Sequence, residues 1–143
     1  MFFSTKARYG LRAMVELATH YGKGALQLRE VARRQGVSEK YLEHLFRFLR
    51  MAGLVRSVRG ASGGYVLARS PGDITVLEVI EALEGVLDPV ECVGNSDVCQ
   101  RRDICVARDV WCGVKDVLCG YLSSVNLEML AEKVASRGVE KEL

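Results

Sequence analysis

Cys92, Cys99, Cys105, Cys112 and Cys119 all fall within 28 residues of a 143-residue chain. Five thiols cannot all pair within one chain. The opening MFFSTKARYG lacks the apolar core and cleavage site of a secretory leader, and no apolar run reaches membrane-spanning length, so a cytoplasmic protein without membrane association is expected. Disulfide frameworks are not sustained there, which leaves metal or redox chemistry as the stronger expectation. The first three cysteines are separated by six and five residues. That is neither the spacing of a zinc knuckle nor a C-x-x-C redox pair. Three thiolates on one loop match the sulfur ligation of an iron–sulfur cluster, and adventitious cysteines are the alternative that spacing alone leaves open. An enzyme is not expected. The two histidines, His20 and His44, lie outside the cysteine window, and the glycine-rich GASGG run at 60–64 belongs to a hairpin and opens no helix, unlike a dinucleotide fingerprint.

The elements that must position these thiols follow from periodicity. From Val86 to Arg102 the pattern is aperiodic and contains Pro89, Gly94, Asn95, Ser96 and Asp97, which predicts a loop carrying Cys92 and Cys99. Asp103 is placed to cap a long helix through Ser124, apolar around much of its circumference at Ile104, Val106, Val110, Trp111, Val114, Val117, Leu118, Tyr121 and Leu122. One small domain cannot cover that surface, so pairing with a twin in a homodimer is expected. Cys112 and Cys119 are expected as buried small apolar residues of this helix. A short helix over Leu127–Ala135 and a charged tail, SRGVEKEL, complete the chain.

The front of the chain carries a different signal. Residues 1–69 hold thirteen Lys and Arg against four acidic residues, a net +9, and residues 70–143 hold seven against fourteen, a net −7. A basic half of this kind suits an anionic partner. Ser4 caps a first helix striped by Leu11, Met14, Val15, Ala18 and Tyr21, whose Lys6, Arg8 and Arg12 suit either phosphate or solvent. LREVARRQ at 28–35 is a short helix stopped by Gly36. With the turn Gly36, Val37, Ser38 it forms the first half of a helix-turn-helix, and its Arg29, Arg33 and Arg34 suit backbone contact.

The second half opens at the Ser38 cap, with Tyr41, Leu42, Leu45, Phe46 and Leu49 at helical spacing and Gly53 closing the run. Alternating strands over 54–58 and 65–67 then flank the glycine-rich turn. Helix followed by glycine-tipped hairpin is the pattern of a winged helix-turn-helix reading double-stranded DNA. Residues near the helix start, Ser38, Lys40, Tyr41, Glu43 and His44, are expected at base edges, with Arg47, Arg50, Arg56 and Arg59 at backbone or minor groove. Glu43 either accepts from a cytosine amino group or pairs with Arg47 along the helix. After a break at Ser70–Asp73, Thr75 and Glu78 form a T-x-x-E capping box for a helix buried through Val76, Val79, Ile80 and Leu83 and stopped by Gly85. The expected fold is mainly α with a small β wing: a winged helix-turn-helix over 1–85, a cysteine-bearing loop over 86–103, dimerisation helices over 104–136 and a tail over 137–143.

Residues 1–130 resemble the IscR, NsrR and CymR family of dimeric winged-helix bacterial regulators. The likeness lies in STKARYGLRAMVELA, in VSEKYLEHLFRFLRMAGLVRSVRGASGGYVLAR, in DITVLEVIEALEG, and in the cysteine loop followed by a helix carrying Trp111. The resemblance implies homodimers joined through the long C-terminal helix and palindromic operators. It also implies control, most simply repression, of genes for iron–sulfur assembly, cysteine metabolism or nitrosative stress. It assigns Ser38, Lys40, Tyr41 and Glu43 to the recognition helix and Arg59 to the minor groove. It makes Cys92, Cys99 and Cys105 ligands of a cluster, by this likeness a 2Fe–2S cluster. Two departures stand out. IscR-like members take a fourth ligand from a histidine three residues after the third cysteine, and here that residue is Arg108, which stays protonated and cannot bind iron. NsrR-like members draw an aspartate from the partner's first helix, and the matching residue is Arg8. Cys112 lies roughly 10 Å further along the helix than Cys105 and does not replace that histidine. Asp97, Asp103, Asp109, a partner chain or an exogenous thiol remain as fourth ligands. The alternative is a cluster-free repressor signalled by thiol oxidation or by a partner enzyme.

Overall fold

A computed structural model describes residues 3–138, so most of the expected charged tail lies outside the described residues. The elements run α1 (Thr5–Thr19), α2 (Leu28–Gln35), α3 (Glu39–Met51), β1 (Val55–Val58), β2 (Gly64–Leu67), a 3-10 turn (Pro71–Asp73), α4 (Val76–Glu84), α5 (Glu91–Gly94), α6 (Val106–Ser124) and α7 (Leu127–Arg137). The mainly α architecture with one small antiparallel sheet is the expected one.

Local chemistry sets most boundaries. The side chains of Ser4, Ser38 and Asn126 accept from the backbone N–H groups of Lys6, Tyr41 and Met129, satisfying donors that the first turns of α1, α3 and α7 cannot pair internally. Thr75 and Glu78 complete the reciprocal capping box of α4. Burial pushes the Glu78 carboxyl up, but bonds from Arg69 and Thr75 outweigh it and hold it below the ordinary carboxylate range. In the wing, Val55 faces Leu67 and Val58 faces Gly64 across the antiparallel pair. The turn tolerates no side chain at its end: a Cβ on Gly63 would lie 2.2 Å from the Val58 carbonyl oxygen, and one on Gly64 2.4 Å from that of Leu26. The second approach arises because Leu26 bridges Tyr65 as a short extra edge of the sheet.

The apolar faces of these elements meet in one principal core. Leu42, Leu45, Phe46 and Leu49 of α3 are fully buried against Met14 and Leu17 of α1, Val31 of α2, and Leu54 and Leu67 at the wing base. Ile74, Val79 and Leu83 close it from the α4 side. Leu127 and Val134 also belong to it, so α7 returns to α1 and is part of the reading domain's core. Of the helices expected over 104–136, α7 thus contributes buried residues to this core. The β-bridge between Thr75 and Asn126 pins the start of α7 beside α4.

Three expectations change. Tyr21 does not extend the α1 stripe; the helix ends at Thr19 and Tyr21 is 49% exposed. The loop over 86–102 contains α5, a single helical turn that begins at Glu91. Asp103 is not the cap of α6: Cys105 occupies that place without a side-chain cap, and Ile104 lies outside the helix, 81% exposed. The apolar circumference of α6 produced this shift, because hydrophobic period marks a helix face and says little about its first turn.

α6 has no buried residue in the single chain. Leu118 and Leu122 rest on a small second cluster formed by Ala7, Val76, Ile80 and Leu87. Cys112 and Cys119 are half-buried on this side and not buried as expected. On the other side Val106, Val110, Val117 and Tyr121 stand in solvent.

Candidate nucleic-acid interface and cysteine loop

α3 lies between two open depressions. On one flank Glu39, Glu43, Arg47 and Arg50 face Arg29 of α2 and the Gly60–Tyr65 side of the wing across a cleft of about 600 Å3. On the other, Ser38, Lys40, Tyr41 and His44 border a groove of about 510 Å3 that Glu43 and Arg47 share. A helix proud of the surface, with polar side chains on both flanks and a hairpin beside it, has the shape that enters a major groove. The helix is held there by its apolar face, since the fully buried Leu42, Leu45, Phe46 and Leu49 leave only the opposite face for a ligand. Ser38, Lys40, Glu43, His44, Arg47 and Arg59 are exposed, and Tyr41 is half-buried.

The structure brings most of the expected contact residues together. Arg29, Ser38, Lys40, Tyr41, Glu43, His44 and Arg47 share this surface, and Arg59 precedes the wing turn. Arg56 is set apart: it lines a separate cleft of about 400 Å3 with His20, Tyr21 and Val66, on the side of the wing facing the α1–α2 connection. Strand alternation explains this, because Val55 points into the core and its neighbour must point the other way. Glu39, in the same row as Glu43, and Gln27 also line the main cleft and were missed; the i, i+4 row of 39, 43 and 47 was the signal that finds Glu39. Among the described residues no ion pair joins Glu43 to Arg47, which leaves the carboxylate facing the groove.

Electrostatics sort the remaining cations. On α2, Glu30 takes Arg33 at 2.6 Å and Arg34 at 3.1 Å. The Arg33 hydrogen bond is the main cause that holds the Glu30 carboxyl down at about 2. Those two guanidiniums already face a carboxylate, whereas among the described residues Arg29 donates to the neutral Gln27 amide, at 3.4 Å, and pairs with no carboxylate. The start of α1 braces the reading helix. The Tyr9 ring meets Tyr41 edgewise at 6.2 Å, and the Tyr41 hydroxyl donates to Thr5 Oγ1 at 3.3 Å. The Lys6 ammonium sits 5.8 Å from the Phe48 ring, which itself meets His44 edgewise at 5.1 Å. Behind it, the Ser4 N–H donates to Glu84 of α4 at 3.0 Å.

Beneath the helix lies a polar pair that the sequence analysis did not single out. Glu16 is 1% exposed, and its Oε1 accepts from Gln35 Nε2 at 3.0 Å. Burial is the main cause that pushes the Glu16 carboxyl above the ordinary range. The pair joins α1 to α2 inside the core.

The cysteine loop leaves α4 through the buried Leu87 and returns at α6. Cys92 is half-buried on α5, Cys99 is exposed, and Cys105 is half-buried immediately before α6. Among the described residues, no three His, Cys, Asp or Glu side chains gather closely enough to hold a metal ion. Asp97, Asp103 and Asp109 are all exposed. Arg108 points back onto the loop, with Nε donating to the Cys92 carbonyl at 3.2 Å. Two helical turns further on, Lys115 binds Asp88 Oδ1 at 2.6 Å. The Asp88 hydrogen bond is the main cause that raises the Lys115 ammonium above its ordinary value. Among the described residues no helix is long and apolar enough to cross a membrane.

Comparison with known proteins agrees with this geometry. The chain is 42% identical over 130 residues to the HTH-type transcriptional regulator IscR of Photorhabdus laumondii, covering 91% of this chain and 79% of that protein. It is 43% identical over 131 residues to the HTH-type transcriptional regulator CymR of Bacillus subtilis, covering 92% and 90%. Among solved structures, CymR, the global cysteine regulator of B. subtilis, superposes with a TM-score of 0.80 at 41% identity, over 93% of this chain and 98% of that one. IscR of T. potens superposes with a TM-score of 0.78 at 42% identity, over 96% and 90%. A family model described as Rrf2, iron-dependent transcriptional regulator, matches residues 3–133. The winged reading head and the helices behind it are those of a transcriptional regulator, and the chain belongs to the Rrf2 family.

Proposed function

We propose that this chain is a homodimeric repressor that binds palindromic operator DNA at genes of iron–sulfur assembly or of cysteine and sulfur metabolism, and that its cysteine loop receives the signal. The observation that carries the operator reading is the row of Lys40, Glu43, His44 and Arg47 on a helix standing between two open grooves, with Arg29 and Arg59 to either side. Arg29 and Arg47 hold phosphates, Arg59 enters the minor groove beside the wing, and Ser38, Lys40, Tyr41, Glu43 and His44 meet base edges. The solvent-facing apolar side of α6 supports pairing, and a two-fold dimer presents two reading heads to two half-sites.

For the signal, the donor chemistry of Cys92, Cys99 and Cys105 suits iron, but the residues as arranged do not fit a four-ligand 2Fe–2S cluster. The three thiols do not gather, and the place of the fourth ligand holds an arginine engaged with the Cys92 carbonyl. This favours the cluster-free reading, in which a peroxide oxidises an exposed loop thiol such as Cys99 to a sulfenic acid with release of water, or a partner enzyme docks on the protein. The presence of three soft thiolate donors on one loop favours a second reading, a labile cluster whose fourth ligand comes from elsewhere.

One experiment separates them. The protein is purified anaerobically, its absorption spectrum, iron and sulfide are measured per dimer, and operator affinity is followed with and without peroxide. Colourless protein that resists reconstitution, with peroxide-sensitive binding, establishes the cluster-free form. Matching iron and sulfide with a charge-transfer band establishes the cluster. Specific operator binding that is absent under every condition refutes the regulator reading.

A further inference from the structure

The cysteine loop is attached to α6 by two cations on one face of that helix. Arg108 and Lys115 are seven residues apart, two turns, so their side chains leave α6 on the same side. Arg108 Nε donates to the Cys92 carbonyl at 3.2 Å, and Lys115 Nζ binds Asp88 Oδ1 at 2.6 Å. Both contacts are part-buried, which makes each worth more than a solvated surface pair. Asp88 is in turn pressed against the end of the same turn: a Cβ on Gly94 would lie 2.0 Å from Asp88 Oδ2. Within α5 itself, the Asn95 N–H donates to the Glu91 carbonyl at 2.9 Å and the Val93 N–H to the Val90 carbonyl at 3.2 Å.

A single helical turn is not stable by itself, because nucleation fixes several residues for one or two hydrogen bonds. No α5 residue is fully buried and Cys92 is half-buried, so packing against α6 supplies only part of what is missing. The polar contacts from α6 are the remaining source of order. We propose that Arg108 is a positioning residue which, with Lys115, clasps the α5 turn and Cys92 onto α6 without any metal, and that opening of this clasp is the event by which the loop changes operator affinity. The first half stands on the contacts above. The second rests on the reading of the loop as the signal receiver.

The test is amide hydrogen exchange on the metal-free full chain, wild type against Arg108→Ala, Arg108→Lys and Asp88→Asn, with operator affinity measured on the same samples. Loss of a charge-assisted hydrogen bond is expected to accelerate exchange at Val93 and Asn95 about tenfold in Arg108→Ala. Asp88→Asn is expected to accelerate the same amides, and Arg108→Lys, which keeps the charge but lacks the guanidinium Nε–H, to fall between. Amides of α1 to α4 serve as the folding control and are expected to be unchanged. Acceleration confined to this segment together with altered operator affinity supports both halves. Acceleration with unaltered affinity keeps the clasp and overturns its role in signalling. Unchanged exchange at Val93 and Asn95 in Arg108→Ala and in Asp88→Asn overturns the proposal outright.

Discussion

Val117→Asp is the substitution that tests the quaternary reading with least disturbance of the fold. Val117 is 74% exposed on α6 and stands with Val106, Val110 and Tyr121 on the side away from the protomer's own core. The apolar surface of that side amounts to on the order of 500 Å2 per protomer, so a dimer covers about 1,000 Å2 and gains roughly 25 kcal/mol of gross hydrophobic free energy, much of which the cost of association offsets. The net affinity is therefore sensitive to single residues. Burying one valine contributes about 1.5 kcal/mol, and a two-fold seam uses the residue twice, so its loss weakens the dimer by about 3 kcal/mol. Two carboxylates at the seam add desolvation and mutual repulsion. The dimer dissociation constant is expected to rise at least about 100-fold. Sedimentation equilibrium reads the dissociation constant, and circular dichroism with thermal melting at a fixed low concentration reads the protomer. Gly113 and Gly120 give a control of different chemistry, because an added Cβ meets nothing within 4 Å in the single chain. Gly120→Ala therefore raises helix propensity by about 1 kcal/mol in the protomer, and weakens the dimer only where the partner helix approaches closely. A Val117→Asp protein that remains fully dimeric at the wild-type dissociation constant refutes the assignment of this face.

Arg59→Ala is expected to weaken operator binding and relax preference at A·T-rich positions, while Arg56→Ala, in its separate cleft, leaves that preference unchanged; a binding-site selection with each variant reads the difference. Glu16→Gln is expected to stabilise the protein at neutral pH. The folded carboxyl is raised by burial, so the folded state holds its proton more tightly than the unfolded one; the penalty is absent below the unfolded value, grows as pH rises through the folded one, and persists above it. Urea midpoints across that range are expected to fall with pH in the wild type and to fall less in Glu16→Gln, and parallel curves sink the assignment. Thr75→Ala removes one half of the α4 capping box and is expected to cost about 1 kcal/mol by chemical denaturation, with an unchanged midpoint as the contrary result.

The reading helix was legible in the sequence because its determinants are local. The Ser38 cap and the four apolar positions that became fully buried are all within one helix length, and the glycine-rich turn after it has steric requirements that no other residue meets. The capping box at Thr75 was legible for the same reason. The basic winged helix itself pointed to a DNA-binding regulator, and the likeness carried that reading to the family to which the chain belongs.

What the tertiary structure decided involves partners far apart in the chain. Whether α7 joins α6 or returns to α1 depends on where Leu127 and Val134 find a core, and amphipathicity names a buried face without naming what covers it. Arg56 and Arg59 are three residues apart in one hairpin, yet strand alternation and the nearby α1–α2 connection put Arg56 in a different cleft. Glu16 reads in sequence as an ordinary helix acid; only the packing of α1 on α2 buries it beside Gln35. Arg108 shows the division most clearly. Its type alone removes a metal ligand, since a guanidinium stays protonated, but its bond to the Cys92 carbonyl, sixteen residues away, exists only because α5 folds back on α6.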